Sequence, residues 1–274
     1  MDKKRLSEMS GENDAGSAPK LILNQIRFNG KKGVYVFENV KKGLIETVDP
    51  KTGKTKKSYE KVGLGETIEV IFLKIRRRLY EFRKDQKALA TNEHNHAGAR
   101  VTLFGGEKIE NGIASELREK YPKLRTQQVI YALYQGEMVR LIVKGASLGS
   151  TTKPKDVDDF YSYLSKFQGK NDEHFYEYKT ILSVGEEEGP LGSYFVMHFA
   201  KGDKLEDLSE VETNMEIAFN HCKEADEYYL SKMPVPEHLK DLQKTQSTGE
   251  KEIDTVEYPD DVDEDEINAE DIPF

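Results

Sequence analysis

Cysteine is almost missing from this chain: Cys222 is the only one in 274 residues. A lone cysteine excludes an intramolecular disulfide, and without a Cys-x-x-Cys pair the usual zinc-site spacing is excluded as well. No run of about 18 apolar residues occurs, so no membrane-spanning helix and no membrane partner are expected. The opening segment MDKKRLSEMSGENDAGSAPK has no apolar stretch of the kind a secretory signal needs. These absences fit a reducing compartment, and a cytosolic location is expected. There is no internal repeat, and no Gly-x-x-x-x-Gly-Lys-Ser/Thr loop for a nucleoside triphosphate.

Charge is what the chain has in plenty, and it is unevenly spread. Residues 1–150 carry 29 Lys and Arg against 18 Asp and Glu, a net of +11. Residues 151–249 carry 11 against 20, and residues 250–274 carry 1 against 12. A basic front can attract a polyanion by releasing its counterions. An acidic end of this density cannot pack a core of its own and is expected to be disordered. That end could compete for the basic surface when no ligand is present.

Four regions follow from composition and periodicity: a polar, disordered 1–19; a basic core over 20–150; a helix-and-strand extension over 151–232; and a disordered acidic tail over 233–274. Short strands are expected at Lys20–Phe28, Val34–Phe37, Leu44–Val48 and Val101–Phe104. Asp49-Pro-Lys-Thr-Gly53 reads as a turn and Lys51–Lys61 as a basic, flexible loop or hairpin. Gln127–Tyr134 and Glu137–Lys144 flank Gln135-Gly136 as a hairpin, and Phe175–Val184 with Ser193–Phe199 reads as a second one. Helical spacing appears over Ile113–Lys120, Asp156–Phe167 and Leu208–Leu230.

The segment Glu66–Phe82 is the most informative. Its β-branched run over Ile68–Ile75 favours one long strand, although a helix from about Leu73 also fits. Read with period two, Ile68, Val70 and Phe72 share a face that runs on into Lys74, Arg76, Arg78, Tyr80 and Phe82. Single-stranded nucleic acid is held by a cationic groove with aromatic rings that stack on bases. Lys74, Arg76, Arg78, Tyr80 and Phe82 combine both features, with a solvated strand face as the plain alternative. Tyr35 and Phe37 are further candidate rings, with a place in the core the stronger expectation. Lys54, Lys56 and Lys57, beside Lys51, are a candidate mobile clamp. The glycine-rich Lys144–Ser150 reads first as a tight turn and second as a loop whose amides approach phosphate.

The chain closes on Asp260-Asp-Val-Asp-Glu-Asp-Glu-Ile-Asn-Ala-Glu-Asp-Ile-Pro-Phe274. The strict signature is Asp271, Ile272, Pro273 and Phe274 in an acidic context, interrupted by Ile267, Asn268 and Ala269. Physically this is a docking peptide. Phe274 can fill an apolar pocket while its α-carboxylate meets a basic side chain. Pro273 limits the freedom lost on binding, and the upstream acids steer the peptide to a basic rim. The tail resembles that of bacterial single-stranded DNA-binding proteins, which typically ends in several Asp followed by Ile-Pro-Phe.

That resemblance implies an OB-like five-stranded barrel core, here within a β-rich α+β chain with added helices and a second hairpin. It implies sequence-independent binding of single-stranded DNA, in the cytosol of a bacterium or encoded by its phage. It also implies recruitment of replication, recombination and repair proteins through the tip. The segment 151–232 could support self-association into a homo-oligomer. Thr91-Asn-Glu-His-Asn-His96 is the most enzyme-like cluster, since Glu93, His94 and His96 could hold a metal. No further ligands fall at useful spacing, so no catalytic residue, metal or cofactor is expected. The alternative function is an enzyme of DNA metabolism, of nuclease or recombinase-accessory type, that carries the same tail.

Overall fold

A computed structural model describes residues 21–31, 34–48, 55–84, 86–149, 158–167, 173–189 and 192–234. By internal contacts the chain divides into Met1–Leu230 and Ser231–Phe274. Of the second unit only residues 231–234 are described. The expected disorder at 1–19 and the docking tip Asp271–Phe274 lie outside the described residues.

The first unit is β-rich with few helices. In chain order it has β1 (Asn24–Lys31), β2 (Val34–Val48), β3 (Thr55–Gly65), β4 (Thr67–Glu81), β5 (Leu89–Thr91), β6 (Arg100–Phe104) and β7 (Lys108–Ile113). There follow α1 (Ala114–Lys120), β8 (Arg125–Tyr134), β9 (Glu137–Lys144), α2 (Phe160–Ser165), β10 (Tyr178–Gly189), β11 (Gly192–Lys204) and α3 (Ser209–Ser231). The two strands expected at 34–37 and 44–48 are one continuous β2, and residues 55–61 of the expected basic loop are part of β3.

The strand order is β3-β2-β1-β9-β8-β4-β5-β6-β7, with β10 joined to both β4 and β11. This path has two ends and is not closed, so the described strands form an open mixed sheet rather than a closed five-stranded barrel. Among the described strands the one parallel pairing is β1 with β9, among antiparallel neighbours. The β8–β9 hairpin turns at Gln135 and Gly136, both with positive φ (52° and 77°). Such a two-residue turn matches the twist of the strands it joins, and glycine takes the second position at little steric cost.

β4 is the spine of the fold. It pairs with β8 over residues 71–80, with β10 over 67–70 and with β5 at Tyr80 and Glu81. Pairing with β8 slips between Phe72 and Lys74, a bulge that adds one residue to β4. Before the bulge Ile68, Val70 and Phe72 enter the main core; after it Ile75 packs against that same core. Leu73 and Lys74 both face α3, Leu73 in a second core with Val211, Ala218 and Cys222 and Lys74 over the Phe219 ring. The face expected to run unbroken from Ile68 to Phe82 is therefore switched at Leu73.

The main core joins residues on both sides of position 150. Phe72 meets Phe160, Tyr163 and Phe199 with ring centroids 5.9–6.5 Å apart. Tyr163, fully buried, satisfies its hydroxyl on Thr180 Oγ1 at 2.6 Å. Burying each such ring contributes roughly 1.5–3 kcal/mol, so the segment after 150 shares the core of the segment before it. α3 packs through Val211, Ala218 and Cys222, spaced for one helical face. The Asp207 carboxylate accepts from Ser209 N at 2.9 Å at its start, a hydrogen bond that holds this carboxyl below its usual range. Among the described residues no helix is long and apolar enough to cross a membrane.

Candidate nucleic-acid interface

Cross-strand partners share a face, so registers place the cations. Lys74 lies opposite Tyr131, Arg76 opposite Val129, Arg78 opposite Gln127 and Tyr80 opposite Arg125. On the far side of β8, Tyr131 faces Arg140 and Gln127 faces Lys144. Arg140 in turn lies beside Gln25 on β1, two residues from Arg27. One face of β1, β9, β8 and β4 thus carries Arg27, Lys144, Arg140, Arg125 and Arg78. α3 covers part of that face.

The expected site residues divide sharply. Arg76 is buried, only 2 % exposed, and engaged through both terminal nitrogens of its guanidinium. It donates to Asp226 Oδ1 and Oδ2 at 2.5 and 2.9 Å, to Asn95 Oδ1 at 2.6 Å and to Glu93 O at 2.8 Å. Burial is the strongest single influence and works against its charge, but the hydrogen bond and charge of Asp226, with smaller help from Cys222 and Glu93, together overcome it and lift its pKa above the ordinary value. Arg76 is therefore a bolt between β4 and α3, which corrects its assignment to the ligand surface. Lys74 is half-buried with Nζ 4.9 Å from the Phe219 ring centroid.

Arg78 lies two residues beyond Arg76 on the same face of β4, opposite Gln127. It is half-buried, donates from Nε to Gln127 Oε1 at 2.9 Å, and lies 5.4 Å from the Tyr80 ring centroid. Burial, together with Arg140 and Arg27 nearby, pushes its pKa below the ordinary arginine value, against the pull of Glu93. Phe82, just beyond the strand end, is 74 % exposed. Phe37 is fully buried and tilted against Phe28 at 5.7 Å, so it is core and not a stacking platform. Tyr35 lies on β2 opposite Gly30, and Lys56 and Lys57 lie on β3 opposite Thr47 and Glu46; their side chains are outside the description. Lys54, like Lys51, lies outside the described residues. Lys144–Ser150 begins as a 3-10 turn, Gly145–Leu148, in which Ser147 Oγ accepts from Met197 N at 2.9 Å. The turn is thereby tied into the core.

Arg27, Arg125 and Arg140 were not legible as site residues from local sequence. The hairpin register around Gln135-Gly136 was the available signal, because it sets Arg140 opposite Tyr131 and Lys144 opposite Gln127. Arg140 pairs with Glu93, whose other oxygen accepts from Tyr131 Oη at 2.9 Å. Arg27 holds Gln25 Oε1 at 2.8 and 3.0 Å, and Arg125 donates to Pro122 O at 2.6 Å. Among the described residues, Arg27, Arg78, Arg125 and Lys144 form no ion pair with a carboxylate. The face therefore gathers cations in excess of its acids, beside the rings of Tyr80 and Phe82.

The His94 loop is scaffolding. His94 pairs its backbone with Arg77 in both directions, at 2.8 and 2.9 Å. Its imidazole is buried, and burial pushes its pKa down to about 4, with Arg77 and Arg76 adding to the shift. Glu93 is committed to Arg140 and Tyr131, and Asn92 Oδ1 accepts from Thr102 N at 2.7 Å. Among the described residues no group of three or more His, Cys, Asp and Glu is arranged to hold a metal. Asp159, of the acidic pair Asp158-Asp159, caps α2 by accepting from Ser162 N at 2.7 Å.

Compared with protein-family models, with curated proteins and with solved structures, the chain matches none of them.

Proposed function

We propose that this protein binds single-stranded DNA without catalysis and with little sequence preference, and recruits replication, recombination and repair proteins through Asp271–Phe274. The carrying observation is the face on which cross-strand register gathers Arg27, Arg78, Arg125, Arg140 and Lys144, with Glu38 opposite Arg27 and Glu93 paired to Arg140. Holding like charges together opposes folding, and a polyanion relieves that repulsion while releasing its own counterions. Arg78 beside Tyr80, and the exposed Phe82, add planar surfaces for stacking at about 1–3 kcal/mol per base. The reading does not need the closed OB barrel of the family its tail resembles, because an open sheet can present the same cations and rings.

The test is a fluorescence titration of the full chain with oligo-dT at several salt concentrations, beside a chain ending before Glu250. Affinity should fall steeply with salt, and truncation should leave it intact or raise it. Duplex DNA and RNA should compete less well than oligo-dT. Removing Phe274 should spare DNA binding and abolish capture of partner proteins. An intact chain that ignores oligo-dT at low salt, or that cleaves it when a divalent metal is added, overturns the reading.

A further inference from the structure

The sheet face does not end at its last registered pair. From Tyr80 the chain runs on into Phe82, Arg83 and Lys84; from Arg125, its partner, it runs back through Lys123 to Lys120. These two segments enclose a cleft of about 550 Å³ lined by Glu81, Arg83, Lys84, Lys120, Tyr121 and Lys123, among others. Its walls hold four cations and one carboxylate.

Two of the four cations are paired with a carboxylate. Arg83 Nε meets Glu81 Oε1 at 3.1 Å, and Lys120 Nζ meets Glu110 Oε2 at 2.5 Å. In both pairs the cation is the more exposed partner, Arg83 at 32 % against Glu81 at 11 % and Lys120 at 60 % against Glu110 at 25 %. Lys84 and Lys123 are exposed and form no ion pair among the described residues. The C-terminal end of α1 favours some positive charge, and Arg118 and Lys120 already supply it in the last turn. Arg83, Lys84 and Lys123 come in addition.

We infer that this cleft is a second phosphate anchor for the same strand, which crosses the β1–β9–β8–β4 face and leaves it past Tyr80 and Phe82. The inference rests on the single-strand reading above and specifies where the strand goes next. Three strand spacings of about 4.8 Å span β1 to β4, and four extended residues from Tyr80 to Lys84 add about 13 Å. A track of roughly 25–30 Å accommodates on the order of 4–8 nucleotides. A strand too short to cover that track reaches the arginine face and stops before the cleft.

The experiment compares oligo-dT of about 4 and about 12 nucleotides on the full chain and on its Lys84→Ala/Lys123→Ala variant. Both lysines are exposed, so the variant keeps its fold, which a thermal melt checks. The short oligonucleotide should bind both proteins alike. The long one should lose about fivefold in affinity on the variant, with a salt slope shallower by about 1.4, or about 0.7 per phosphate released. Glu81→Gln, which frees Arg83, should strengthen the long oligonucleotide alone. If the variant binds both lengths as the wild type does, the cleft is a solvated basic surface and the inference fails while the face stands. If the wild type binds neither length, the single-strand reading fails, and the inference with it.

Discussion

Arg76 and Arg78 sit two residues apart on one face of β4, yet they should respond to mutation in opposite ways. Asp226→Ala leaves the Arg76 guanidinium, 1 % exposed, without its counter-charge. Stranding a buried charge costs about 3–5 kcal/mol. For a unit of this size that corresponds to a melting temperature lower by roughly 6–20 °C. Arg76→Met is gentler, because Asp226 is 35 % exposed and can be rehydrated; about 1–3 kcal/mol is expected. Neither change touches the exposed cations, so affinity for oligo-dT, measured by fluorescence titration on the folded fraction, should stay within about twofold. Arg78→Ala should do the reverse. It removes one hydrogen bond to Gln127, for about 1 kcal/mol of stability. Affinity should drop about fivefold to tenfold, and the salt slope should become shallower by about 0.7. Paired thermal melts and titrations decide the matter. Lost affinity in Arg76→Met at an unchanged melting temperature, with Arg78→Ala silent, would falsify the assignment of the two arginines.

Other outcomes follow from the same geometry. Glu93→Gln keeps an acceptor for Tyr131 but releases Arg140, so affinity for oligo-dT should rise and the salt slope should steepen by about 0.7; a loss of affinity would mean that Glu93 orients Arg140 for the ligand. His94 has its folded pKa lowered from 6.5 to about 4, so its neutral burial stabilises the fold fully above the unfolded value. That contribution, up to roughly 3 kcal/mol, is lost as pH falls from 6.5 toward 4, and urea titrations of His94→Asn should show a flatter pH dependence than wild type. Tyr163→Phe should cost about 1 kcal/mol by leaving the Thr180 hydroxyl without its partner, whereas Phe72→Ala should cost about 3–5 kcal/mol; chemical denaturation measures both.

Much of the local structure was legible because it is written locally. The β-branched run of β4, the Gln135-Gly136 turn and the three- and four-residue spacing of α3 each depend on neighbours within a few positions. What escaped depends on partners far along the chain. Arg76 reads as a surface cation until α3, 150 residues away, supplies Asp226. Arg27, Arg125 and Arg140 look like scattered charges until the order β1-β9-β8-β4 brings them to one face. Phe37 and Phe82 each follow a tyrosine by two residues; only burial separates the core ring from the exposed one. Closure of a barrel is likewise a property of the whole strand order, and composition carries no record of it.

The slip at Leu73 sets how this strand can change over generations. Because side chains alternate, the extra residue acts as a reading frame for everything from Lys74 to Glu81. Substituting Leu73 by Met would change little. Deleting it would rotate Lys74, Arg76 and Arg78 toward the rings of Phe160 and Phe199 and turn Ile75 and Leu79 toward α3. Lineages carrying this chain should therefore accept exchanges of side chain along β4 while keeping its length between Phe72 and Lys74 fixed.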